Sequence, residues 1–338
     1  MVAPDTRSSG LLAIRSEMAR QHGDALASIG AAGDLAGKIS KSIRDTGRIL
    51  LLGMGASHAV GRAVEPMYRS LGYDAIAIPM SEELEQPLPI DGRTVLLTSQ
   101  SGESGEIVRW FRSAPRHPAT FGLTLDPQST LARTVPCLIG AGGPEKAFAA
   151  TRSLTVSLAL QAAVLARLGL ATEGLKEILA APATPDIAEA LVRFGDVRAV
   201  VTSGRRLQGL AEALALGLTE LSRLPCFSME GGQLRHGPME MLGPDVGVVM
   251  FRGQDPTAGL VASLASAVVA AGSPLVVFDA SGEAPIDGAA TVTAPASSDF
   301  VALFRLLPAA QEFMLSFAAS RVADVGNPVR SQKVTRIE

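Results

Sequence analysis

The chain has 338 residues, length for two domains of ordinary size. Hydrophobic residues make up 47% and aromatics only 4%, so the core must be built from Ala, Leu, Val and Ile, which favours α/β layers over an all-β sandwich. Thirty basic against 33 acidic residues give a net charge of −3 with no long basic run, so a nucleic-acid role has no electrostatic support. In chain order, apolar spacing at Leu12, Ile14, Met18, Leu26 and Ile29 predicts a helical segment from about Ser9 to Arg44. Strands and helices then alternate. Strands are expected at Ile49 to Gly53, Ala75 to Pro79, Thr94 to Ser99, Thr120 to Leu125 and Pro136 to Ile139, forming an open parallel sheet with crossover helices. An Ala/Leu-rich helix follows over Thr151 to Leu168, and Ala181-Pro182-Ala183-Thr184-Pro185 reads as a linker. A second alternating unit begins at Ala199, with further strands at Val246 to Phe251, Pro274 to Asp279 and Thr291 to Ala294 and a closing helix over Asp299 to Val322.

Cys137 and Cys226 lie far apart in apolar segments and read as buried, reduced thiols, which suits a cytoplasmic protein. No uninterrupted apolar stretch reaches transmembrane length, and Met1-Val2-Ala3-Pro4-Asp5 has no signal-peptide pattern, so no membrane partner is expected.

The chemistry concentrates in three places. Ser99-Gln100-Ser101-Gly102-Glu103-Ser104-Gly105 lies between a buried strand and a helix start. Small residues let backbone N–H groups approach an anion, hydroxyls add donors, and the helix N-terminus adds positive dipole, so the loop reads as a phosphate cradle. A plain helix cap would need fewer small residues. Gly53-Met54-Gly55-Ala56-Ser57-His58 also joins a strand to a helix, but no G-x-G-x-x-G completes a dinucleotide fingerprint. Ser57 is therefore either a ligand contact or simply an N-cap. In the third stretch, Glu220 to Pro238, His236 precedes Gly237-Pro238 in a turn suited to proton transfer. Glu220 ends an apolar helix and is either a buried base or a partly exposed helical carboxylate.

The two halves look like a distant duplication, Leu51 to Ser57 matching Val200 to Arg205. Chemically it is one-sided: the second half offers Phe251-Arg252-Gly253-Gln254 where the first has its Ser/Gly loop, so one phosphate site per chain is expected.

The Ser-Gln-Ser-Gly-Glu-Ser loop, the Gly-x-Gly-x-Ser turn, Gln233-Leu234-Arg235-His236-Gly237-Pro238 and Asn327-Pro328-Val329-Arg330-Ser331-Gln332-Lys333-Val334-Thr335, in that order, resemble the sugar isomerase (SIS) family. Within it the likeness is to the isomerase half of glucosamine-6-phosphate synthase and to amino-sugar-phosphate deaminases, from about residue 45 onward. The resemblance implies an α/β fold of two tandem doubly wound parallel-sheet SIS domains, 46–180 (phosphosugar-binding) and 186–325, after an N-terminal helical segment, 1–45, and before a C-terminal active-site tail, 326–338. It implies that Ser99, Gln100, Ser101 and Ser104 bind the substrate phosphate with Ser57 nearby, and that Glu145 lies at the sugar hydroxyls. Glu220 would move a proton between C1 and C2, His236 would assist ring opening from a turn that crosses a homodimer interface, and Lys333 would meet the open-chain carbonyl.

The synthase has a lysine three residues before its catalytic glutamate; here that position is Gly217, and the family's usual Thr is Ser104. Glutamate, histidine and tail lysine without that second lysine favour a deaminase: aldosamine 6-phosphate plus water giving ketose 6-phosphate plus ammonia. The synthase's glutamine-hydrolysing domain is not expected, nor is the DNA-binding domain of the family's regulators. An aldose–ketose isomerase is the enzymatic rival and a non-catalytic sugar-phosphate sensor the alternative of another class. The proton transfers require no cofactor, and no His or Cys cluster with metal-ligand spacing occurs.

Overall fold

A computed structural model describes residues 8–113, 117–183 and 185–336. The opening Met1–Asp5 segment and Thr184 of the expected linker lie outside these. Contacts divide the chain into two units, one of residues 13–180 and 328–338 and one of residues 1–12 and 181–327.

In the first unit, α1 (Ser9–Ala31, grouped here from Ala13) is followed by α2 (Gly33–Thr46). The single N-terminal helix expected from the sequence is thus two, because Gly33 takes φ +43 and interrupts the hydrogen-bond ladder. Ala36, Ile39, Ser40 and Ile43 form the buried stripe of α2, which ends at Gly47 in the left-handed region. Then come β1 (Arg48–Gly53), α3 (Ala56–Ser70), β2 (Asp74–Pro79), β3 (Thr94–Thr98), α4 (Gly105–Ser113), β4 (Thr120–Thr124), α5 (Thr130–Thr134), β5 (Cys137–Ile139), α6 (Arg152–Leu168) and α7 (Leu175–Ala180). The strands form one parallel sheet in the order β2-β1-β3-β4-β5. Every residue of β3 is buried, as expected of a strand covered on both faces. Leu50, Leu52, Val95 and Leu97 pack with Ile107, Trp110 and Leu131 on one side of the sheet.

The second unit holds α8 (Ala188–Phe194), β6 (Ala199–Ser203), α9 (Gln208–Ser222), β7 (Cys226–Ser228), α10 (Gly231–Arg235), β8 (Val246–Gly253), α11 (Ala258–Ala270), β9 (Leu275–Ala280), β10 (Ala290–Thr293) and α12 (Asp299–Ala319). Its parallel sheet runs β10-β9-β8-β6-β7. Sequence reasoning missed β7, an edge strand of three residues whose Phe227 is exposed. It also ended β8 two residues early. Arg252 lies in the strand, opposite Asp279 of β9, and the two form a buried ion pair at 3.1 Å. The expected Arg252 loop is therefore a structural contact inside the sheet. Residues 300–319 of α12 are long and apolar enough to cross a membrane by length and composition, with mean hydropathy 1.3, although Arg305, Gln311 and Glu312 interrupt them. Burial explains that composition: most of this stretch is buried, with Phe304 and Phe313 almost fully covered.

Candidate functional site

The strand order of the first, all-parallel sheet switches between β1 and β3, and Gly53 stands in register with Thr98. The loops leaving these strand ends are therefore neighbours at the sheet's carboxyl edge, where open α/β sheets bind ligands. Ser99 is nearly buried, and its Oγ accepts the Gly102 N–H at 3.0 Å. Ser101 Oγ accepts the Glu103 N–H at 3.3 Å, and Ser104 Oγ accepts the Ile107 N–H at 3.4 Å at the mouth of α4. Each hydroxyl used as an acceptor keeps its own O–H to donate, so three donors remain in the loop.

Two devices shape the loop. Gly102 adopts φ +60, and a Cβ there would lie 2.3 Å from Ser129 Oγ. The Glu103 carboxylate accepts the Thr130 N–H and, at 3.0 Å, the Thr130 hydroxyl, fastening the loop to α5. On the β1 side, a Cβ on Gly53 would lie 2.7 Å from the Ser57 carbonyl carbon, so only glycine lets α3 start this close. Ser57 is the second residue of α3 and not its cap; Gly55, at φ 52, holds that position. The capping explanation of Ser57 is thereby removed. The adjacent His58, which sequence reasoning passed over, is held below the usual histidine range by burial and then by Arg62.

Glu145 is 2% exposed and fully engaged. Its Oε1 accepts the N–H and hydroxyl of Thr151 at 3.0 and 3.1 Å, and its Oε2 accepts the Ser153 hydroxyl at 2.6 Å and Lys333 Nζ at 2.8 Å. Lys333 also donates to the Phe148 carbonyl at 3.3 Å. The Glu145 N–H donates to Gln100 Oε1 at 3.1 Å. Further along the tail, the Thr335 carbonyl accepts the Gly105 N–H at 3.0 Å. Arg330 and Arg336 are exposed, but the segment between them is held. The tail is pinned at two points, one on the Glu145 carboxylate and one on the helix behind the Ser/Gly loop.

Sequence reasoning missed what holds the Glu145 segment. Arg152 is 0% exposed; it donates to Glu17 at 2.6 Å, Asp24 at 3.1 Å, and the carbonyls of Ala141 and Gly143 at 3.2 and 2.8 Å. Burial pushes the Glu17 carboxyl up, but the Lys146 N–H, Arg20 and Arg152 outweigh it and bring the pKa down to about 2. One signal was available: an arginine opening an apolar helix stands against the dipole, and a buried carboxylate is what offsets that.

In the second unit, Glu220 lies two residues before the end of α9 and is half-buried. His236 is exposed and follows the last residue of α10; Gly237 then takes φ +107 and Pro238 opens a short 3-10 turn. Gly217 is buried, and a Cβ there would lie 2.2 Å from Met314 Sδ of α12. This position is a close contact between α9 and α12, where any side chain would require Met314 to move. Among the described residues, no group of three or more His, Cys, Asp or Glu is placed to hold a metal ion.

A family model described as "SIS domain" matches residues 196–320, which span β6 to the end of α12. The chain carries an SIS domain. Among curated proteins it is similar to the glutamine–fructose-6-phosphate aminotransferase (isomerizing) of Caulobacter vibrioides, 27% identical over 318 residues, covering 86% of this chain and 52% of that protein. The chain thus spans about half the length of the curated relatives it matches. Solved structures of the same fold include the C-terminal domain of glucosamine-fructose-6-phosphate aminotransferase from Francisella tularensis (TM-score 0.80, 20% identity, 94% of this chain and 98% of that one). A tagatose-6-phosphate ketose/aldose isomerase from Escherichia coli follows (TM-score 0.78, 19%, 94% and 97%). A glucosamine-6-phosphate deaminase from Thermotoga maritima matches with TM-score 0.72 and 20% identity over 91% and 98%.

Proposed function

We propose that the chain is an amino-sugar-phosphate deaminase, converting an aldosamine 6-phosphate and water to a ketose 6-phosphate and ammonia. One observation carries the reading. The hydroxyl-lined loop at the first sheet's switch point is joined through Gln100 and Glu145 to Lys333, so anion donors and an ammonium are held in one hydrogen-bonded assembly. The SIS domain and relatives named for sugar-phosphate chemistry support it. In this reading the first sheet forms a second domain of SIS type, so that 46–180 and 186–325 are tandem, and the site residues carry the roles the resemblance implies.

Ser99, Gln100, Ser101 and Ser104, with Ser57, anchor the phosphate. His236 assists ring opening. Glu220 removes the C2 proton of the open-chain aldose and returns it at C1, leaving a C2 imine that water hydrolyses to ketone and ammonia. Lys333 places its ammonium beside the open-chain carbonyl while the tail covers the sugar. Gly217 leaves no second lysine on α9, which favours deamination over the aldose–ketose isomerase alternative.

An ammonia-release screen across 2-amino-2-deoxy hexose 6-phosphates tests the proposal. Aldose–ketose conversion without ammonia would transfer it to the isomerase reading, and binding without turnover to a sensor. The chain is further proposed to act as a homodimer in which His236 serves the partner's site. Mixed dimers of Glu220→Gln and His236→Ala chains should then regain partial activity; mixed dimers that form and stay inactive would refute the shared site.

A further inference from the structure

We propose that Glu230, clamped by Arg205, is the positioning residue for the His236 turn; this rests on the proton-transfer reading of His236. His236 follows a helix of only five residues, Gly231–Arg235, which opens with two glycines. A helix that short, with glycine in its first turn, has almost no stability of its own. Its shape must be imposed from outside.

The structure imposes it at both ends. At the N-terminus the Glu230 carboxylate accepts the N–H groups of Gly232 and Gln233 at 2.7 and 3.2 Å. Arg205 Nη1 donates to the other oxygen of that carboxylate at 2.8 Å. Arg205 leaves the end of β6, and the Gly204 carbonyl beside it accepts the Gly231 N–H at 2.9 Å. The glycines follow from this packing. A Cβ on Gly231 would lie 2.9 Å from Arg205 Nε, and one on Gly232 would lie 3.0 Å from Arg205 Nη1. Leu234, 0% exposed, anchors the middle of the helix among Val261 and Leu264. At the far end the His236 N–H donates to the Gln233 carbonyl at 3.1 Å. The residue whose N–H is capped by Glu230 is therefore the same one whose carbonyl holds His236. Rigid sheet, ion pair, cap and histidine form one chain of contacts within the second unit.

An exposed ion pair contributes little by Coulomb attraction alone. Here the carboxylate is also the helix cap, so removing it frees two backbone donors along with the arginine.

Two measurements test this. In amide exchange, Glu230→Ala should speed exchange at Leu234 and His236 at least tenfold while strands β6 and β8 keep their protection; Glu230→Gln, which keeps an oxygen acceptor, should fall between. Unchanged exchange at these two amides overturns the proposal. In turnover of a sugar phosphate, Glu230→Ala should lower kcat at least tenfold with KM moved less than twofold, and in a His236→Ala background it should cost less than twofold. Losses that multiply in the double variant overturn it, because Glu230 would then act by another route. If His236→Ala alone leaves kcat unchanged, the proton-transfer reading of His236 falls, while amide exchange still decides the clamp.

Discussion

Replacing Gly102 by alanine tests whether the Ser/Gly loop is built as described. The residue sits at φ +60, where an L side chain costs about 1–2 kcal/mol. The new Cβ would lie 2.3 Å from Ser129 Oγ and 2.6 Å from its Cβ, so one of the two segments must move. Overpacking of that kind costs about 1–3 kcal/mol. Together the terms give roughly 2–5 kcal/mol, a large part of an ordinary domain's 5–15 kcal/mol. At ~2–4 °C per kcal/mol for a domain of this size, the melting temperature should fall by roughly 4–20 °C. Gly72→Ala is the control, since Gly72 has φ +88 with nothing within 4 Å of the added atom and should show the backbone cost alone. Calorimetry on the three proteins reads the difference. A Gly102→Ala chain that melts no lower than Gly72→Ala would show that the loop does not press on Ser129.

Stability should also report the buried Glu17 cluster. Because the folded pKa is near 2 and the ordinary value is 4.5, the carboxylate stabilises the fold above pH 4.5, and that contribution disappears as pH falls toward 2. Denaturant melts of Glu17→Gln should show a flatter acid limb than wild type; an unchanged limb would remove Glu17 from the account. Burial pushes the Cys137 thiol up to about 12, so it should resist alkylation at pH 8 in the folded protein and react once denatured; mass spectrometry of folded samples showing rapid labelling would contradict this. Lys333→Ala should cut turnover severely with the fold retained, because Thr151 and Ser153 continue to hold Glu145. Deleting residues 330–338 should do little more, and undiminished turnover in either variant would leave Lys333 only a structural partner of Glu145.

The order of strands and helices was readable in the sequence because every strand of the first sheet is a short apolar run bounded by turn residues, and parallel strands buried on both faces look like that. The place of the Ser/Gly loop was readable for a related reason: it follows a fully buried apolar run and precedes a helix start. What escaped depends on contacts distant in the chain. Arg252 reads as a loop residue until Asp279 stands opposite it. Arg152 pairs with Glu17, 135 residues away, and Glu230 reads as an ordinary charge until Arg205 meets it across 25 residues. The break at Gly33 turned on one left-handed glycine in a sequence that otherwise kept its helical period.

The central claim is that Ser99 to Ser104 binds the phosphate of a sugar phosphate. Calorimetric titration of glucosamine 6-phosphate and of glucosamine into wild type and Ser101→Leu tests it most directly. The account predicts saturable binding of one glucosamine 6-phosphate per chain to wild type, none of glucosamine at the same concentrations, and loss of the phosphate-dependent binding in a folded Ser101→Leu. Equal binding of the phosphorylated sugar by the variant, or equal binding of both sugars by wild type, would contradict it.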